Sequence, residues 1–123
     1  MAAVVQAGSL LFDTPRTVEK FADLVATAAR DGASLAVFPE AFIGGYPKGH
    51  HFGAPVGSRT PEGREWFRRY FDSAIDVPGP ETERMARLAK DFGVDIVVGV
   101  VERAARFTAR RSAFRARAPF SAN

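Results

Sequence analysis

From Val94 to Val101 the chain reads VDIVVGVV, an apolar run with no polar alternation. A strand with one wet face alternates with a period of two, so a run like this reads as a strand buried on both faces, the central strand of a parallel sheet. It is also far too short to cross a bilayer. A helical pattern precedes it: over Glu81–Phe92 the apolar residues Met85, Leu88, Ala89 and Phe92 recur at three- and four-residue spacing, and Gly93 supplies the C-terminal cap. The same grammar holds upstream. Ala2–Ala7 (AAVVQA) reads as a short buried strand. Asp13-Thr14-Pro15 opens a helix, with Asp13 or Thr14 as cap and Pro15 in the first turn. Val18, Phe21, Leu24, Val25, Ala28 and Ala29 form its apolar stripe, Asp31-Gly32 ends it, and Ser34–Phe38 is a second strand. Strand, helix and strand in this order predict a β-α-β unit with a right-handed crossover, and so the α/β class.

The second strand ends in Pro39 and a single carboxylate, Glu40, followed at once by a glycine-rich turn, AFIGGYPKG. Enzymes of the α/β class place catalytic groups at the carboxyl ends of strands, with loops folded around them. From its position alone, Glu40 reads more plainly as a capping or surface acid. Phe42 and Tyr46 either line a pocket or pack against the loop, and the sequence leaves both open. His50-His51 suggest a metal, but adjacent histidines point apart and no acid or cysteine stands at ligand spacing, so a loop role is the better reading. The glycine-rich segment over residues 40–59 is long enough to be functional. Thr60-Pro61-Glu62 opens another helix, with an aromatic face at Trp66, Phe67, Tyr70 and Phe71, and Val77-Pro78-Gly79-Pro80 breaks the chain before the next.

The formal net charge of +3 conceals a division. From Arg103 to Asn123 there are six arginines and no acid, so residues 1–102 carry −3. The basic segment is built mainly from Arg, Ala, Phe and Ser. It shows neither strand alternation nor a helical stripe and is expected to be a disordered tail. Arginines can bind nucleic acid through phosphate charge, but nothing here adds sequence readout, so a tail without that role is preferred. With no cysteine, the chain carries no disulfide, thiolate metal site or cysteine nucleophile. The N-terminus lacks a basic n-region and a cleavage site, which points to a cytoplasmic protein, and no apolar run predicts a membrane span.

Over Gly32–Pro47 the sequence resembles the nitrilase superfamily of carbon–nitrogen hydrolases. The resemblance is carried by Gly32, the strand, Phe38-Pro39-Glu40, Ile43 and Gly45-Tyr46-Pro47, with a mild departure at Ala36. PEAFIGGYPKG and the stretch Phe52–Glu81 resemble the true-nitrilase branch, and the run IVVGVVER is similar to the family's next strand. The resemblance covers residues 1 to about 102, the front part of the family's domain. It implies the N-terminal portion of an α-β-β-α sandwich, truncated, with an open apolar edge at Val97, Val98 and Val100 where a partner strand is lacking. It further implies a Glu-Lys-Cys triad that converts nitriles to carboxylic acids and ammonia through a thioimidate and an acyl-enzyme, without cofactor or metal. Glu40 matches the general base; Phe42 and Tyr46 are the candidate substrate-binding residues. Lys48 stands in the wrong motif to be the triad lysine, and the lysine and cysteine lie beyond the matching stretch. The chain alone is therefore expected to be inactive. The substrate of an intact member would be a small nitrile, and intact members would form homo-oligomers. A non-catalytic interaction module, pairing with a partner subunit or binding nucleic acid through the basic tail, is the alternative.

After Glu102 the family expects a strand similar to LYCTALxF. Read one nucleotide frame over, Phe107 forces a codon xTT, Thr108 xAC and Ala109 xGC, which permit Leu, Tyr and Cys. Continued to Asn123, the shifted frame permits GALYCTALRFSGPGALLGK. The expectation is a frameshift near residues 103–105.

Overall fold

The computed structural model describes residues 1–46, 60–104 and 108–117. The first strand, β1 (Ala2–Val4), leads through a loop into helix α1 (Thr14–Arg30). Asp13 caps α1, its Oδ1 accepting from the Arg16 amide at 3.1 Å, and a proline stands in the first turn, where its missing N–H leaves no bond unmade. The turn after Asp31 is made by Gly32 at φ +85°, a left-handed conformation that favours glycine. Strand β2 (Leu35–Val37) follows. Helix α2 (Pro61–Ser73) is capped by Thr60, whose hydroxyl accepts from the Gly63 amide at 3.1 Å. Helix α3 (Pro80–Phe92) ends on Gly93 at φ +66°. Strand β3 spans Asp95–Ala104 and strand β4 Thr108–Ala116.

These strands form one sheet in the order β1-β2-β3-β4. The β1/β2 and β2/β3 pairs are parallel, in register Ala3↔Ala36↔Ile96, and β3 pairs antiparallel with β4. One face of the sheet (Ala36, Ile96, Val98 and Val100, all fully buried) meets the apolar stripes of α1 (Val18, Phe21, Val25, Ala28) and α3 (Met85, Ala89) in a single core. Rings of Phe21, Phe38 and Phe42 stack in its centre, with Phe21 and Phe38 centroids 4.5 Å apart.

Three expectations need correction. β1 is not buried: it is an edge strand, with Val4 75% exposed. The basic segment contains a strand, β4, although it lacks alternation, because β3 runs three residues past Val101 and presents a backbone edge to pair with. For the same reason Val97, Val98 and Val100 do not border an open edge, since β4 pairs with them at Arg115, Phe114 and Ser112. Strand propensity is weak against such pairing, which explains why the local sequence hides it. His50 and His51 lie outside the described residues.

Candidate active site

At its carboxyl end β2 leaves the sheet and returns. The Phe38 amide donates to the Val97 carbonyl, the Gly99 amide to the Pro39 carbonyl, and the Ile43 amide to the Gly99 carbonyl at 3.1 Å. Between these bonds, residues 40–42 bulge out of the ladder. The bulge is held by two backbone features. Ala41 adopts φ +51°, which costs a non-glycine residue conformational energy. Its carbonyl accepts from the Gly45 amide at 2.9 Å, closing the turn. The bulge crosses directly over Gly99 of β3: a Cβ built there would stand 2.7 Å from the Glu40 Cα and the Pro39 carbonyl oxygen. Glycine at 99 is what lets the backbone of Glu40 lie against the sheet.

Glu40 thus sits at a strand end on a bulge braced by an unusual backbone. Its side chain is exposed and borders a cavity of about 240 Å³ lined by Ala7, Gly8, Ser9, Leu11, Pro39, Glu40, Phe42 and Tyr46. The structure therefore gathers Glu40, Phe42 and Tyr46 on one cavity. Phe42, 2% exposed, also packs into the core beside Phe38, so its pocket surface is the edge of a packed ring. Tyr46 is 57% exposed at the cavity mouth.

The opposite wall comes from the β1–α1 loop, which sequence reasoning passed over. Gly8, Ser9 and Leu11 reach the cavity because α1 ties this loop down. The buried Thr17 hydroxyl accepts from the Leu10 amide at 3.1 Å and lies 3.0 Å from the Leu10 carbonyl and 2.8 Å from that of Asp13. Lys20 Nζ donates to the Gly8 carbonyl at 2.7 Å. The far end of the loop is pinned to α2 by the Phe12 ring, 5.5 Å from that of Trp66, with the Arg69 guanidinium over both. Gly45, at φ +88° where a side chain is disfavoured, lies against the end of the Leu11 side chain, bringing the two walls into contact. The sequence signal for this loop was available in Thr17, a polar residue among the stripe of α1, but only as a hint.

A second cavity of about 230 Å³ lies between α1 and α3 and shares no residue with the first. It is bordered by Glu19 and Arg84, paired at 2.5 Å, and by Glu81. The pair explains that surface without a ligand. Among the described residues no group of three or more His, Asp or Glu side chains is placed to hold a metal ion, and no helix is long and apolar enough to cross a membrane.

The profile of the carbon-nitrogen hydrolase family matches residues 1–117. The chain belongs to that family. Its relatives within the family include a bifunctional nitrilase/nitrile hydratase of Lupinus angustifolius, 55% identical over 102 residues that make up 83% of this chain and 29% of that protein. An aliphatic nitrilase of Sinorhizobium fredii is 53% identical over the same length, covering 33% of its own chain, and nitrilase 2 of Arabidopsis thaliana is 51% identical, with 30% covered. The chain thus spans about a third of the length of these relatives, as an N-terminal fragment of the hydrolase domain would. Among solved structures, an amidase from Nesterenkonia sp. superposes with a TM-score of 0.62 at 21% identity, over 94% of this chain and 37% of the amidase. That likeness shows the fold: the four-stranded sheet with its helices adopts the fold of part of that amidase.

Proposed function

We propose that this chain is the N-terminal portion of a nitrile-hydrolysing enzyme and that Glu40 is its general base. The observation that carries the reading is the bulge at residues 40–42, seated on Gly99, which holds one carboxylate at the end of β2 against a cavity whose other wall is the β1–α1 loop. In the reaction implied, a cysteine thiol loses its proton to the glutamate as its sulfur adds to the nitrile carbon, giving a thioimidate. Water then adds, ammonia leaves, and a second water hydrolyses the acyl-enzyme to the acid. A lysine stabilises the tetrahedral species. This chain contributes the base; it contains no cysteine, so the nucleophile must come from other polypeptide. Phe42 and Tyr46 present ring surface to the cavity and suit the carbon skeleton of a small nitrile. The purified 123-residue chain is expected to release no ammonia from aliphatic or aromatic nitriles; release above the buffer rate contradicts the assignment of its nucleophile to other polypeptide.

We further propose that residues from about 103 onward are read out of frame. The register supports this: Ser112 stands opposite the fully buried Val100 and Phe114 opposite Val98. The shifted reading permits a phenylalanine at position 114 and a leucine at 112, residues that would match the apolar partners better. Sequencing the DNA through and beyond this region decides it. A shifted continuation encoding a downstream lysine and cysteine is expected, and an uninterrupted original frame overturns it.

A further inference from the structure

The cavity beside Glu40 has two walls, and different parts of the fold hold them. The wall that carries the acid rests on β3: the backbone bonds that fix the bulge run from Gly99 to Pro39, from Ile43 to Gly99 and, across the turn, from Gly45 to Ala41. The other wall, Ala7, Gly8, Ser9 and Leu11, belongs to the β1–α1 loop and is held from α1. Three polar side chains are buried among the described residues. Those of Ser73 and Thr82 bond within their own helix or its cap. Thr17, 1% exposed, instead reaches back into the loop, accepting from the Leu10 amide at 3.1 Å and standing 3.0 Å from the Leu10 carbonyl. A hydroxyl that engages both backbone groups of one residue fixes that residue in place, and Leu10 is the link between Ser9 and Leu11. Its carbonyl also accepts from the Asp13 amide at 3.1 Å, closing a turn in which Phe12 stands at φ +60°, a conformation that costs a non-glycine residue energy. The loop therefore keeps its shape against local preference, through what α1 supplies.

We propose that Thr17 is a positioning residue for the substrate: by fixing Leu10 it sets the wall that receives the carbon skeleton of the nitrile away from the reacting carbon. The proposal rests on the reading of this cavity as a nitrile site, but not on Glu40 being its base. Ala7 and Leu11 give the loop wall apolar surface and no titratable side chain stands on it, whereas the carboxylate stands on the wall opposite. The bulge wall is thus placed for the chemistry and the loop wall for the length of the substrate. A long straight-chain nitrile touches both walls; a short one, held at its reacting end, touches only the first. Loosening the loop removes binding that ground state and transition state share, which raises KM and leaves kcat unchanged. Lys20 Nζ, donating to the Gly8 carbonyl at 2.7 Å, holds the same wall at an exposed bond and acts in the same direction more weakly.

The test joins residues 1–102 of this chain to the remainder of the Sinorhizobium fredii aliphatic nitrilase and compares acetonitrile with hexanenitrile. Thr17→Val removes the hydroxyl at nearly constant volume and leaves the Leu10 amide without its partner. It should raise KM for hexanenitrile at least fivefold, with kcat and the KM for acetonitrile within twofold of the parent. Thr17→Ser, which keeps the hydroxyl, should restore the hexanenitrile KM. A fall in kcat at constant KM, an equal effect on both nitriles, or a serine variant as impaired as the valine one overturns the proposal. An unchanged KM beside an inactivating Glu40→Gln overturns the role of Thr17 alone; no effect of either substitution overturns the nitrile site with it. Should Thr17→Val unfold, Lys20→Met carries the same comparison, with a two- to threefold rise in the hexanenitrile KM expected and no rise contradicting it. Hydrogen exchange on the 123-residue chain needs no turnover: Thr17→Val should speed exchange at the Leu10 amide at least tenfold while the Ile43, Gly45 and Gly99 amides keep their protection. An unchanged Leu10 amide, or equal loosening of both walls, also overturns the proposal.

Discussion

Gly99 governs the position of Glu40 although the two are far apart in sequence. Giving Gly99 a methyl group would drive it into the Glu40 Cα and Pro39 carbonyl, neither of which can yield without moving the bulge. Overpacking of this kind costs about 1–3 kcal/mol, so Gly99→Ala is expected to lower the melting midpoint measurably; an unchanged midpoint would show that the bulge does not rest on β3. At this scale the acid was legible and its support was not. Pro39-Glu40 at the end of an apolar run marks a strand end from sequence alone, whereas a glycine inside VDIVVGVV looks like any gap in a strand until the chain that crosses it is seen. Leu11 and Ser9 were missed for a related reason: they belong to a loop whose shape is set by hydrogen bonds to Thr17 and Lys20, not by its own residues.

Among the elements, α1 and α3 were readable almost to their ends, because caps and apolar stripes are local signals. β4 was not, because its cause is the free edge of another strand. Ending the chain after Ala104 should therefore strip hydrogen-exchange protection from the β3 amides that point toward β4, while those of Gly99 and Val101, bonded to Pro39 and Ile43, keep theirs, and should promote aggregation through the bared edge; unchanged protection would contradict the pairing. Between the helices, Arg84 hydrogen-bonds the Glu19 carboxylate and holds its pKa below the ordinary value, chiefly through that bond and then through its charge. A carboxylate lowered in the folded state adds stability above its unfolded pKa and loses it as pH falls through the folded one. Glu19 is largely exposed and Arg84 half-buried, so the effect is small. Glu19→Gln should lower the melting midpoint slightly at neutral pH, and the two proteins should converge in acid; a gap that persists in acid would assign the difference to something other than the ion pair.

At the scale of the whole molecule, the chain matches about a third of the length of its relatives. Family membership is established over residues 1–117, and the relatives are about three times as long as the segment they share with this chain. The sequence made the α/β class legible because three apolar runs alternate with striped helices, whereas the register that sets Val4, Val37 and Val97 in one row came only from the pairing of the strands. The claim on which the functional account turns is that Glu40 moves a proton. Joining residues 1–102 of this chain to the remainder of the Sinorhizobium fredii aliphatic nitrilase gives a protein in which that can be measured directly, as ammonia released from an aliphatic nitrile. The account predicts turnover by the chimera and a loss of about 10²–10⁴-fold on Glu40→Gln, the usual contribution of a general base, with folding unchanged by circular dichroism. A Glu40→Gln chimera as active as its parent would contradict it.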